Sequence, residues 1–381
     1  MPVFSCGGMR YQYEWQDVPL SDIPRSNQEN LEATIRRSLE LGIHHIETAR
    51  GYGTSEMQLG QILPNLARET FILQTKVAPV ADANEFRQTV EQSLGYLRLD
   101  AVDLLGLHGV NTAELLDDVL RPGGCLEMAK HLQAQGKARF IGFSTHAPLD
   151  VILRAIETDQ FDYINLHWYY INQNNWPAIE AATRHDMGVF IISPSNKGGM
   201  LYTPPQRLVD LCAPLSPMVF NDLFCLHHPQ IHTLSVGAAH PQDFDEHLKT
   251  LDLLDRADEI LPPIVDRLEQ AAIDRLGADW WRTWQQGLPR LEDTPGERNI
   301  PTMLWLRNLA IAYDMMDYAK MRYNLLGQGN HWFPGANAEG LDPHTLDDCL
   351  KNSPHADKIP ELLLETHQLL AGQEVKRLSQ Q

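Results

Sequence analysis

The chain of 381 residues can bury a full core and exceeds the usual span of one domain, which points to one large domain with an appendage. Lys and Arg total 31 against 50 Asp and Glu, a formal charge of -19, which disfavours nucleic acid and anionic membrane surfaces as partners. The five cysteines, Cys6, Cys125, Cys212, Cys225 and Cys349, form neither a Cys-x-x-Cys pair nor an even framework, so no disulfide scaffold and no metal site is expected.

From the first residues to about Leu254, short apolar runs alternate with longer amphipathic ones, the pattern of repeated βα units. The expected strands are residues 2–6, 43–47, 71–76, 101–108, 138–143, 161–166, 188–192 and 231–236. Ser26-Asn27-Gln28-Glu29 reads as a capping box before a helix over 31–41, with Gly42 as its stop, and Gly136 stops a helix over 126–135 in the same manner. Right-handed crossovers between eight parallel strands close most naturally into a (β/α)8 TIM barrel, with the active site at the carboxyl ends. An open doubly wound sheet is the alternative, but Gly7-Gly8-Met9 is too weak to stand in for the glycine-rich dinucleotide fingerprint that such a sheet requires. Beyond residue 255 the rhythm changes to long helical patterns over 257–276, 301–325 and 358–371, which divides the chain into a barrel of residues 1–255 and an all-helical extension of residues 256–381. Trp280 to Asn299 reads as an ordered linker. With no basic-then-apolar leader and no run of about 18 apolar residues, a cytoplasmic protein is expected.

Three polar side chains follow the ends of successive apolar runs: Tyr52, Lys76 and His108. A free phenol titrates near pH ~10, so a Tyr that donates a proton at neutral pH needs a neighbour that favours its phenolate. The Lys76 ammonium does this, Glu47 supplies the anion that holds the ammonium in place, and His108 orients a substrate oxygen or shares its proton.

The stretches ETARGYGTSEMQLG, FILQTK, VDLLGLH and GKARFIGFSTH, in this order, resemble the motifs of the aldo/keto reductase family. The resemblance covers most of residues 1–250 and implies a β/α barrel, a nicotinamide cofactor extended across the strand ends, and reversible carbonyl reduction. It implies Tyr52 as general acid, Lys76 as the group that lowers its pKa, His108 as the carbonyl-orienting residue, and Glu47 where the family usually has Asp. Ser144, Thr145 and Asn165 match positions that contact the nicotinamide amide. In Ser193-Pro194-Ser195-Asn196-Lys197-Gly198-Gly199, the glycines let backbone amides approach a pyrophosphate while Lys197 adds charge, with Ser193 and Gly198 counted among the contacts. Gly8 and Met9 after the first strand, and Gly237 and Asp243 around a helix at 241–248, complete the expected cofactor set. The family often holds the 2'-phosphate of NADPH with an Arg just past that glycine. Here Ala238, Ala239, Asp243 and Asp245 occupy the region, so NADH stands beside NADPH.

The tail from Ile300 to Gly335, with CLKNSPHADKIPELL after it, resembles the ferredoxin-like extension of one branch of these reductases, whose clusters need four thiolates each. Cys349 alone remains, with Thr294-Pro295 and Ser353-Pro354 where the branch would have Cys-Pro, so no iron-sulfur cluster is expected and the module is left as a surface for a protein partner. Typical members open with a hairpin that plugs the barrel floor; here the first strand is expected at Pro2. Trp15, Trp168, Tyr169 and Tyr170 either line the substrate pocket or pack beneath the tail. The sequence therefore supports NAD(P)H-dependent reduction of small aldehydes or ketones, with a nucleotide-binding regulatory protein carrying a vestigial site as the alternative.

Overall fold

The computed structural model describes residues 1–328 and 334–372. Eight parallel strands close on themselves in sequence order: β1 (Phe4–Gly7), β2 (His45–Glu47), β3 (Ile72–Val77), β4 (Val102–Leu107), β5 (Ala138–Ser144), β6 (Tyr163–Leu166), β7 (Gly188–Ile192) and β8 (Thr233–Gly237). The closing seam pairs Ser5 with Ser235 and Gly7 with Gly237. This is the (β/α)8 TIM barrel read from the alternation, with further helices after it. Strand limits differ from the expected ones by up to two residues, because apolar neighbours such as Ile43 and Phe161 are buried before the ladder begins.

Strand pleating sorts the side chains into two sets. Ile46, Leu73, Leu105, Ile141 and Ile164 point outward and join the apolar layer beneath the helices. Leu104, Tyr163 and Phe190 point inward and form a separate small cluster with Ile72. Barrel interiors are usually filled by branched aliphatic residues. Here many inward positions are polar instead, among them Ser5, His45, Gln74, Asn165, Thr233 and Ser235, all buried.

Two local expectations need correction. The first helix runs Arg25–Glu40 from Pro24, with no side-chain cap, so Ser26 sits inside its first turn and no capping box forms. The expected helix at 301–325 is two helices, Ile300–Tyr313 and Met316–Tyr323, broken where Asp314 adopts a left-handed conformation with φ 59°. Gly42 and Gly136 take positive φ, as their roles as helix stops require.

Residues 1–198 and 221–257 form one compact unit, and residues 199–220 with the described residues from 258 onward form a second. The second unit has its own polar ties. Trp280 Nε1 donates to Asn308 Oδ1 at 2.9 Å, Thr283 Oγ1 lies 2.8 Å from His355 Nε2, and Tyr323 Oη lies 2.8 Å from His367 Nδ1. Thr294 Oγ1 lies 2.7 Å from the Leu291 carbonyl, and Ser353 Oγ accepts from the His355 amide at 3.3 Å. Both hydroxyls thus serve their own turns. Of the tail stretch used for the ferredoxin-like resemblance, residues 329–333 lie outside the described residues. No single helix among the described residues is long and apolar enough to cross a membrane.

Candidate active site at the carboxyl ends of the barrel strands

Glu47 is the last residue of β2, and Lys76 stands one residue before the end of β3, so adjacent parallel strands deliver both side chains to one end of the barrel. Lys76 Nζ donates to Glu47 Oε1 at 2.7 Å and to the Thr48 carbonyl at 3.0 Å. Both side chains are almost fully enclosed. Burial pushes the Glu47 carboxyl up, but the Lys76 charge together with hydrogen bonds from Lys76 and Ser235 outweighs this and holds it below its ordinary value. Burial likewise works against the Lys76 ammonium, and Glu47 followed by Tyr52 keeps its pKa above the usual value.

Room for the lysine comes from a missing side chain. A Cβ at Gly106, its register partner on β4, would lie 2.9 Å from Lys76 Cγ. Lys76 Nζ then stands 5.2 Å from the centre of the Tyr52 ring. His108 directly follows β4 and meets the same ring edge-on, with centroids 5.6 Å apart and planes at 85°. Tyr52, Lys76, His108 and Glu47 are therefore brought together. Burial raises the Tyr52 pKa, the Lys76 charge offsets part of that rise, and the net result stays above the ordinary phenol value. The phenol is thus protonated at neutral pH, the form a proton donor needs.

The loop carrying Tyr52 is fixed from outside. Thr54 donates its amide to the Glu14 carbonyl at 3.0 Å, the Tyr13 amide donates to Thr54 Oγ1 at 3.1 Å, and Arg50 pairs with Asp17. Trp15, on the same 13–17 segment, is exposed, and Tyr170 is half-buried. Trp168 and Tyr169 are buried, and Trp168 stacks on Phe224 with centroids 5.0 Å apart, so it serves packing instead of a pocket rim.

The expected cofactor residues divide into several groups. Ser144 Oγ accepts from the Gly109 amide at 3.0 Å. Thr145 Oγ1 donates to the Val110 carbonyl at 2.7 Å and accepts from the Ala147 amide at 3.0 Å, which commits its hydroxyl to the turn. Asn165 is buried, in register with Ser144, and its Oδ1 accepts from Gln74 Nε2 at 2.8 Å. Ser193 starts the short helix Pro194–Lys197 in a left-handed conformation, and a Cβ at Gly198 would lie 2.2 Å from the Pro194 carbonyl oxygen. Lys197 Nζ reaches His167 Nε2 at 2.7 Å and His146 Nδ1 at 3.2 Å. Beneath this loop Ser195 Oγ lies 3.4 Å from His247 Nε2, and His247 Nδ1 is hydrogen-bonded to Asp222 Oδ2.

At β1 and β8 the geometry departs from the expectation. Gly8 is needed for packing, since a Cβ there would meet Tyr11 Oη at 2.7 Å and the Glu47 carbonyl oxygen at 2.8 Å. Met9 is half-buried. Asp243 turns its carboxylate onto its own helix start, accepting from the Ala239 amide at 2.7 Å and the His240 amide at 3.3 Å, so that terminus already has its anion. Arg10 donates to the Gly237 carbonyl at 2.6 Å and pairs with Asp243 at 3.3 Å. Arg10, His146 and His167 were not singled out in the sequence, because each joins the site only when the barrel closes or neighbouring strand ends align. Among the described residues no group of three His, Cys, Asp or Glu is placed to hold a metal ion.

Residues 5–201 match the sequence model of the Aldo/keto reductase family. L-galactose dehydrogenase of Arabidopsis thaliana is 32% identical over 134 residues, covering 33% of this chain and 41% of that protein. The uncharacterized oxidoreductase YqkF of Bacillus subtilis (strain 168) is 24% identical over 180 residues, 44% of this chain and 56% of that protein. The matches thus span about half the length of these curated relatives. Among solved structures, an aldo-keto reductase from Klebsiella pneumoniae in complex with NADPH superposes with a TM-score of 0.54 at 19% identity, covering 69% of this chain and 92% of that one.

Proposed function

Because the chain belongs to the aldo/keto reductase family, we propose that it reduces small aldehydes or ketones to alcohols with a nicotinamide dinucleotide, using Tyr52 as general acid. The observation that carries this reading is the buried Lys76 ammonium, 2.7 Å from Glu47 and 5.2 Å from the Tyr52 ring centre, at the carboxyl ends of a closed barrel.

When bound, the dinucleotide supplies the hydride that becomes the new C–H bond of the alcohol. The carbonyl π electrons then move to oxygen, and Tyr52 gives that oxygen its phenolic proton. Lys76 stabilises the phenolate left behind, Glu47 keeps the ammonium charged and in place, and His108 holds the carbonyl oxygen beside the phenol. Solvent returns the proton after the alcohol leaves.

The residues present fit such a cofactor. Asn165 Nδ2 is buried with no acceptor among the described residues, as a carboxamide contact requires. In the turn at Ser193–Gly198 the Lys197 and Gly198 amides close on the Ser193 and Pro194 carbonyls, and the Ser195 amide in the first turn of the short helix is the one that would meet a pyrophosphate. Arg10, paired with Asp243, brings a guanidinium beside Gly237, where Ala238 and Ala239 offer none, and exchange of that carboxylate for a 2'-phosphate would favour NADPH over NADH. The protein bound to NADPH among its structural neighbours supports the same choice.

Titration of intrinsic tryptophan fluorescence with NADPH and NADH, followed by a panel of aldehydes and ketones, tests this reading. The expected result is tighter NADPH binding with turnover of at least one carbonyl. Binding without turnover of any carbonyl would favour a nucleotide-binding regulatory role. Absence of binding to either nucleotide would remove both.

A further inference from the structure

Directly beneath the proposed site, three amide and imidazole groups cross the barrel interior in a single line. His45 on β2, Gln74 on β3 and Asn165 on β6 are each fully buried. His45 Nε2 lies 3.0 Å from Gln74 Oε1, and an amide oxygen only accepts, so the imidazole carries its proton on Nε2. Gln74 Nε2 in turn donates to Asn165 Oδ1 at 2.8 Å. The chain of donors ends at Asn165 Nδ2, which is enclosed and finds no acceptor among the described residues. His45 stays neutral across the physiological range, since burial lowers its pKa to about 4.

The line has two possible directions, and they present opposite faces to a ligand. In the observed direction Asn165 offers N–H groups; reversal of both amides would offer its oxygen instead. A buried amide nitrogen without an acceptor costs ~1–3 kcal/mol, which a ligand oxygen recovers on binding. Asn165 pairs in register with Ser144, the last residue of β5, and the Thr145 amide donates to its carbonyl at 3.0 Å. Its side chain therefore belongs to the layer of strand ends on which a nicotinamide would rest. Glycines keep this interior open: a Cβ at Gly142 would lie 2.5 Å from the Tyr163 ring, on the wall beside Asn165.

We propose that His45 and Gln74 are positioning residues that lock the Asn165 amide with its nitrogen toward the ligand, so that Asn165 reads the oxygen of the cofactor carboxamide and not its NH2 group. This rests on the reductase reading above and adds to it a direction of hydrogen bonding set from within the barrel.

The test uses dissociation constants of the whole chain for NADP+ and for its 3-acetylpyridine analogue, which keeps the carbonyl but replaces NH2 by methyl, read by tryptophan fluorescence. In Gln74→Met the amide is free to turn. It can then offer oxygen to the NH2 of NADP+ but has nothing to offer the methyl ketone in that orientation. The variant should therefore weaken the analogue about tenfold, equivalent to about 1.4 kcal/mol, and NADP+ about threefold or less. A loss of packing alone would penalise both nucleotides equally. Equal penalties, no penalty, or a larger penalty on NADP+ overturns the inference. If Gln74→Met does not fold, Asn165→Asp replaces it: an acceptor-only side chain should again harm the analogue more than NADP+, and the opposite or equal result overturns the inference. Failure of the wild-type chain to bind either nucleotide overturns the reductase reading and this inference with it, whereas normal wild-type binding with equal penalties overturns this inference alone.

Discussion

The proposed chemistry rests on one buried cation. Lys76 has a carboxylate at 2.7 Å and a phenol ring beyond it, and its charge works on both. In Lys76→Met the Tyr52 pKa should rise further and turnover should fall by about 10²-fold or more. The same change leaves Glu47 as an unpaired buried carboxylate, a loss of ~3–5 kcal/mol readable by urea unfolding. His45 gives a second prediction with a defined sign. Its folded pKa is about 4 against an ordinary value of 6.5, so below pH 6.5 the unfolded chain takes up a proton that the folded chain refuses. Stability attributable to His45 is then complete above pH 6.5 and is lost as the pH falls toward 4, by about 3 kcal/mol in all. Urea unfolding of wild type and His45→Gln from pH 7 to 4 should show a steeper decline for the wild type; parallel curves would contradict it. At this scale the grouping of Tyr52, Lys76, His108 and Glu47 was legible, because each follows or ends an apolar strand run. Gln74 was not, since within FILQTK it reads only as one inward position among others, and its partners lie 29 and 91 residues away in sequence.

Strands and helices were legible in kind more than in extent. The alternation located all eight strands, but burial of Ile43 and Phe161 ahead of the ladder made two of them read too long. Ser26-x-x-Glu29 has the composition of a capping box, yet Pro24 precedes Arg25 and starts the helix earlier. The Asp314 break was hidden because the apolar spacing continues through Met315 and Met316 on either side. The glycines of β4 and β5 are the element-level requirement of the site. Gly142→Ala should destabilise the fold by ~1–3 kcal/mol, since the new methyl meets the Tyr163 ring and backbone at 2.5 Å. Gly95→Ala, on an open helix face with nothing within 4 Å of the added carbon, is the control and should be neutral or slightly stabilising in the same thermal melt.

For the molecule as a whole, closure of the barrel is what turns scattered residues into a site: Arg10 reaches Gly237 across the β1–β8 seam, 227 positions away in sequence. The helical tail was visible from the change of rhythm after residue 255, whereas the grouping of residues 199–220 with it was not, because their apolar spacing matches that of the other βα connections. A formal charge of -19 implies self-repulsion that salt screens, so the melting temperature should rise as NaCl goes from about 10 mM to about 0.5 M, and a falling one would contradict this. The central claim, a phenol proton donor serving hydride addition at the mouth of this barrel, is met most directly by a single-turnover reaction with NADPH deuterated at the transferable position. The account predicts that wild type places deuterium on the carbinol carbon of the product alcohol, and that Tyr52→Phe binds NADPH as well as wild type but transfers deuterium at least about 10²-fold more slowly. Equal transfer rates in the two proteins, or deuterium lost to solvent, would contradict it.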